Sequence, residues 1–363
     1  MNNPLPLVTV TVRARTDLGR TRDHNEDSYL VADLTTRSVD LTHGGPHTIG
    51  EQGTIFLVAD GMGGAAAGEL ASSMASDLII RHLLERPAAA DEQPEDFAER
   101  LRSAVEAANE RIHLFSKEHP DVRGMGTTAT LAGVRNTMLY LAQVGDSRGY
   151  LIRDGVATQI TKDQSLMQRL VDAGELTEEE AEQSERRNII LQALGPDARI
   201  RVDLTWQELR RGDLLVMCSD GLYGQVKREE IAAAVQEQPD LDAVCDALIV
   251  LANERGGPDN ITVVVARFEG EGLAPSGASG EVGYRSFPSN HPDSEELPVA
   301  VRPPPPPLPP EPLPPPPPEA PPPPVAEAPP PAPPVRSGSP ATIAGLTAVV
   351  LLGLVLLYFL LSR

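Results

Sequence analysis

The sequence predicts an α+β fold, with packed β-sheets flanked by α-helices, a disordered proline-rich linker after them and one C-terminal transmembrane helix. Three observations carry this. Strand-like apolar runs come in groups and helical patterns in pairs, without the strict alternation of a doubly wound parallel sheet. Most of the 36 prolines lie between positions 298 and 340. Residues 341–361 are 21 uncharged positions in a row, enough to span a bilayer.

Residues 7–15, LVTVTVRAR, alternate as a strand does, and TIFLVAD at 54–60 reads as a buried strand. Over 66–84 one helical face collects Ala67, Leu70, Ala71, Met74, Leu78 and Ile79. Over 96–116 another collects Phe97, Leu101, Ala104, Ala108, Ile112 and Phe115. Residues 127–134, 138–146 and 148–155 read as strands joined by turns, and 165–173 as a short helix. The charged stretch 174–188 predicts a surface excursion with a short helix of its own. DLLVMCSDG at 213–221 is a second buried strand that runs into an acid. Helices follow over 229–236 and 241–254, and ITVVVARF at 261–268 is the last strand.

Beyond about 270 periodicity lapses, so 269–340 is expected to be disordered. Its part from 302 onward should be largely polyproline II, a spacer or a docking site for proline-reading domains. Arg336 and Arg363 flank the apolar segment almost symmetrically, so flanking charge does little to orient it. Cys218 and Cys245 sit in apolar patterns and read as reduced core thiols, without the spacing of a zinc site. The first residues lack the apolar stretch of a signal peptide. Together these favour a single-pass C-terminal membrane anchor with the folded part in the cytoplasm. The net charge is −21, and nine acidic and four basic residues follow Phe268, so the first 268 residues carry −16. A surface this acidic argues against nucleic acid as a partner.

Acids stand where buried strands stop or start. Asp60 ends TIFLVAD, Asp220 ends DLLVMCSD, Asp259 precedes ITVVV, and Glu26 and Asp27 lie in RDHNEDS at 22–28. Each alone reads as well as a turn or helix cap. Gathered at one sheet rim without matching Lys or Arg they would repel one another, and a hard cation such as Mg²⁺ or Mn²⁺ would relieve that. Gly61 and Gly221 lack side chains, which lets a backbone carbonyl approach a metal. Arg22, close by in sequence, has the geometry to hold a phosphate.

The ordered set R-x-x-x-E-D at 22–27, ADGMGG at 59–64, GTT at 126–128, GDSR at 145–148, SDGL at 219–222 and DNIT at 259–262 resembles the metal-dependent protein phosphatases of the 2C type, the PPM family, in its bacterial branch. The resemblance covers residues 8–268. It implies a four-layer sandwich of two packed antiparallel sheets flanked by helices. It implies that Asp60 bridges two Mn²⁺ or Mg²⁺ ions, that the Gly61 carbonyl joins one of them, and that Asp220 and Asp259 join the other. Glu26 and Asp27 would lie at the first ion, directly or through water, and Arg22 would bind the substrate phosphate. Asp146, Asp220 and the backbone near Asn188 resemble the third-ion site of bacterial members, and 165–199 the flap beside the active site. The implied activity is hydrolysis of phosphoserine and phosphothreonine in proteins by a water shared between the ions. The implied partners are phosphorylated proteins, including a bacterial Ser/Thr kinase. Where some eukaryotic relatives carry a proton-donating histidine this chain has Met62, which leaves a metal-bound water or His24 for that role. A non-catalytic phosphoprotein-binding domain is the other class of function. Such domains usually lose an aspartate, and here Asp60, Asp220 and Asp259 are all present.

Overall fold

Strands that are mostly buried on both faces build two antiparallel sheets. The chain runs β1 (Thr9–Asp17), β2 (Asp27–Asp33), β3 (Ser38–Val39), β4 (His47–Thr48), β5 (Thr54–Met62), α1 (Ala65–Glu85), α2 (Pro94–Glu118), β6 (Gly126–Thr127), β7 (Ala129–Arg135), β8 (Met138–Val144), β9 (Arg148–Arg153) and β10 (Val156–Gln159). It continues through α3 (Leu166–Asp172), α4 (Glu178–Glu182), β11 (Asp203–Glu208), β12 (Leu214–Cys218), α5 (Asp220–Tyr223), α6 (Arg228–Glu237), α7 (Leu241–Glu254) and β13 (Ile261–Glu269). This computed structural model describes residues 7–89, 92–184, 186–238, 240–277 and 281–287.

One sheet has the order β10-β9-β12-β13-β1-β4, the other β11-β8-β7-β5-β2-β3, with β6 paired to β5. Alternate residues of each central strand enter different cores. In β5, Phe56 and Val58 join Val12, Met217, Val264 and Phe268 between the sheets, while Ile55 and Leu57 face α1 and α2. In β12 and β13, Val216, Cys218, Val263 and Val265 face the helical layer of α5–α7. The Phe56 and Phe268 rings meet edge to face at 6.2 Å, a favoured aromatic geometry. Helices on both outer sides of two antiparallel sheets match the expected architecture.

Two substantial strands are not marked by hydropathy. In β11 the residues that turn inward include Thr205 and Gln207, 3% and 2% exposed. Their polar atoms are satisfied by the carbonyls of Ile160 and Gly283. β2 carries an aspartate at each end, and Asp33 is spent on capping the following turn through Thr35 N–H and the Thr36 hydroxyl.

The ordered chain also runs past the boundary expected at Phe268. Leu273 is buried in the inter-sheet core, and Phe287 packs against the helix-side core with its ring 5.7 Å from that of Tyr140. The expectation of disorder from 269 therefore fails for 270–277 and 281–287. There, main-chain bonds to Leu7 and Arg211 for the first stretch and to β11 for the second, with a few apolar contacts, replace periodicity, so no hydropathy pattern announces them. The 302–340 proline-rich stretch and the 341–361 membrane segment lie outside the described residues. Among the described residues no helix is long and apolar enough to cross a membrane.

Candidate metal centre

Antiparallel pairing brings the ends of β5, β8 and β12 to the same edge as the starts of β2 and β13. Asp27 stands opposite Asp60 in the β2–β5 ladder, and Cys218 opposite Val263 in the β12–β13 ladder. Asp60 shares the parity of Phe56 and Val58, so it lies at the inter-sheet edge. The Ser219 hydroxyl donates to Asp27 Oδ2 at 2.7 Å and joins the two sheets there.

The carboxylates at this edge press on one another. Asp27 is pushed up to about 7, first by burial, then by the charges of Asp220 and Asp259, against hydrogen bonds from Thr262 and Ser219. Asp60 is held well above the usual carboxylate range by burial and by Asp27, Asp220, Asp146 and Asp259. Burial and Asp259 raise Asp220 to about 6, although Asp60 is within its hydrogen-bonding reach and Arg22 and Arg187 oppose the shift. Asp146 rises to about 8 through burial, Asp220 and Asp163, with Arg148 opposing. Both causes disfavour the charged form.

Two buried oxygens, Asp146 Oδ1 and Asp220 Oδ1, have no hydrogen-bond partner among the described residues. Unsatisfied buried polar atoms are uncommon and costly. An all-oxygen donor set, mutually repelling and holding unpartnered oxygens, fits Mg²⁺ or Mn²⁺. Among the described residues no group of three or more His, Cys, Asp or Glu side chains converges on one metal position. The fit therefore rests on donor chemistry rather than on a coordination shell.

The backbone around the acids is fixed by neighbours that hydropathy does not mark. The Asp60 N–H donates to Thr128 Oγ1 at 2.9 Å, and its carbonyl accepts from Thr128 N–H at 2.8 Å and from the Thr127 hydroxyl at 3.0 Å. The Asn260 amide donates to the carbonyls of Leu18 and His24, both at 3.0 Å, and its oxygen accepts from Glu26 N–H at 2.9 Å. One buried side chain thus holds the loop that carries Arg22, Glu26 and Asp27. Both groups lie in the GTT and DNIT motifs, so the motifs marked them although no charge did.

Arg22 Nη2 donates to Asp259 Oδ2 at 2.9 Å and remains 43% exposed at the mouth of the cleft. Glu26 is buried, with its carboxylate against His24 Nε2 at 3.0 Å. That hydrogen bond raises the His24 pKa, with Asp23 adding to it. A Cβ on Gly61 would collide with the carbonyls of Gly68 and Glu26, and one on Gly68 with the Glu26 carboxylate. Gly221 has a reason other than approach to a metal: a Cβ there would collide with the Asn260 carbonyl. Asn188 follows α4 in the charged excursion. It lies exposed in a turn, and among the described residues no hydrogen bond joins it to the acids. The neighbouring Arg187 is the excursion residue whose charge reaches Asp220.

The family model described as Protein phosphatase 2C matches residues 40–260. The chain is 37% identical over 251 residues to the serine/threonine phosphatase stp of Listeria monocytogenes, covering 69% of this chain and 93% of that one. It is 40% identical over 261 residues to the serine/threonine protein phosphatase PstP of Mycobacterium tuberculosis, covering 71% of this chain and 45% of that one. A crystal structure of the catalytic domain of PstP in complex with two manganese ions superposes with a TM-score of 0.59 at 39% identity, over 72% of this chain and 99% of that one. On these likenesses the chain belongs to the protein phosphatase 2C family, the metal-dependent protein serine/threonine phosphatases.

Proposed function

We propose that the cleft edge hydrolyses phosphoserine and phosphothreonine in proteins with two bound Mn²⁺ or Mg²⁺ ions. The observation that carries this reading is the set of crowded carboxylates, Asp27, Asp60, Asp146, Asp220 and Asp259, with unpartnered oxygens on Asp146 and Asp220. Asp60 would bridge the ions, the Gly61 carbonyl would join one, and Asp220 and Asp259 the other. Glu26 and Asp27 would stand at the first ion, directly or through water. Asp146 and Asp220, with backbone near Asn188, would hold a third. When bound, the ions supply charge neutralisation and a water of lowered pKa.

The chain's own groups do the rest. Thr128 fixes the Asp60 backbone, and Ser219 and Thr262 hold Asp27. Arg22, exposed beside Asp259, is placed to grip a phosphate and oppose its growing negative charge. No nucleophilic cysteine is needed, since burial pushes the Cys218 thiol up to about 12.

The membrane role rests on residues 341–361, whose length and lack of charge suit a single-pass anchor with the phosphatase on the cytoplasmic side. There it would oppose a Ser/Thr kinase and act on that kinase's substrates. The test is hydrolysis of phosphothreonine peptides by the full chain over a Mn²⁺ titration. Absence of turnover at saturating metal on every peptide overturns the reading. Recovery of the full chain, but not of one ending at 340, in the membrane fraction tests the anchor.

A further inference from the structure

Away from the acidic edge, a groove of about 710 Å³ lies between α2, residues 198–204 and residues 284–287. Residues 284–287 already act as an extra strand on β11. Thr205 stands opposite Ser286 in antiparallel sense, Trp206 N–H donates to the Arg285 carbonyl at 3.2 Å, and Phe287 N–H donates to the Leu204 carbonyl at 2.8 Å. Phe287 is the last described residue and lines the groove.

We infer that this groove is the docking site for the chain's own residues 288–298, which extend the added strand along residues 198–203. Four observations argue for that occupant. The first is main-chain supply. Arg201 N–H donates to Gln192 Oε1 at 2.7 Å and its carbonyl accepts from Gln164 at 3.2 Å, on the β8 side. Ile200 and Val202 therefore turn the other way, and among the described residues neither main chain has a partner there. The register set by Thr205 and Ser286 puts Ser289 opposite Val202 and His291 opposite Ile200.

The second is proline parity. Pro288 and Pro292 share the parity of Ser286, whose main-chain groups face away from β11, so neither ring costs a ladder bond. The third is charge. The same register carries Asp293 alongside Arg199, which is exposed and has no ion-pair partner among the described residues, and Glu295 and Glu296 follow. The fourth is a buried lone pair. His113 is 8% exposed, its Nδ1 bonds the Gly195 carbonyl at 2.8 Å, and among the described residues its Nε2 has no partner. With Nδ1 donating, Nε2 needs a donor, which Ser289, Asn290 or Ser294 provides.

Cysteine trapping in the full chain tests this, since Cys218 and Cys245 are both buried. Ile200→Cys with His291→Cys should form an intramolecular disulfide at least about tenfold faster than Ile200→Cys with Ser337→Cys. Equal rates, or links only between molecules, overturn the proposal. A second measurement needs no cysteine. Amide exchange at Ile200 and Val202 should be slow in the full chain and at least about tenfold faster when Asp293, Glu295 and Glu296 are all changed to Lys. Identical exchange in the two chains overturns it as well.

Discussion

Buried acids in this molecule live under two regimes. Glu92, Asp213 and Asp163 each have a cation, while Asp33 caps a turn. Glu92 is gripped by Arg100 and Arg135, Asp213 by Arg153 at 2.6 Å, and Asp163 by Arg148 at 2.8 Å. Arg148 is held in turn over the Tyr223 ring at 3.9 Å. At the cleft edge Asp27, Asp60, Asp146 and Asp220 face mainly one another, with Arg22 and Arg187 the cations that oppose the rise at Asp220. The first arrangement is complete within the chain. The second needs positive charge from outside, and that difference separates scaffold from site more sharply than burial does.

Substitutions break the comparison in opposite ways. Asp220→Asn should cut phosphopeptide turnover by roughly a thousandfold or more and weaken Mn²⁺ binding, while the metal-free fold keeps or gains stability because one repelling charge is gone. Calorimetric Mn²⁺ titration with a thermal melt checks both halves, and near-normal turnover would refute the assignment. Asp213→Ala removes one partner of the half-buried Arg153, which keeps its bond to the Glu208 carbonyl, and should cost about 1–3 kcal/mol of stability, with turnover per folded molecule little changed. A denaturant titration beside an activity assay tells the two regions apart.

Arg22→Ala should raise the KM for phosphopeptides about tenfold or more, as loss of a charged hydrogen bond predicts, with a smaller change in kcat. An unchanged KM removes Arg22 from the phosphate site.

The pH dependence sharpens the contrast. Asp27, Asp146 and Asp220 have folded pKa values raised to about 7, 8 and 6. Their unfolded counterparts ionise near 4, so the folded state binds more protons between those values. Its stability is fully present below about pH 4 as far as these groups go, and is lost as pH rises through 6 to 8. With a chelator present, Tm should therefore fall over that range. Mn²⁺, which binds the ionised forms, should reverse the trend, and melts at several pH values with and without metal decide it. The smallest effect is expected at Asn188→Ala, whose side chain is exposed and unbonded. Turnover should change by less than about twofold, and a larger loss would bring Asn188 into the site.

Much of this was legible in the chain. β1, α1, α2 and α7 show the period of their buried faces, β5, β12 and β13 read as the continuous apolar runs of strands buried on both sides, and acids at the ends of apolar strands foretold the cluster. β11 was illegible because its inward Thr205 and Gln207 are satisfied by hydrogen bonds that only the fold supplies. Residues 281–287 were illegible because main-chain pairing with β11, which carries no hydropathy signature, helps hold them.

The sequence by itself determined the strand and helix faces, the order of the motifs and the identity of the crowded acids, because each follows from spacing along one chain. Only the tertiary structure decided which acids are paired and which are not, why Gly221 must be glycine, and that Asn260 holds the loop of Arg22, Glu26 and Asp27. Those are contacts between segments up to 242 residues apart. No local pattern encodes such contacts, because they exist only once two sheets have packed and brought their strand ends to one edge.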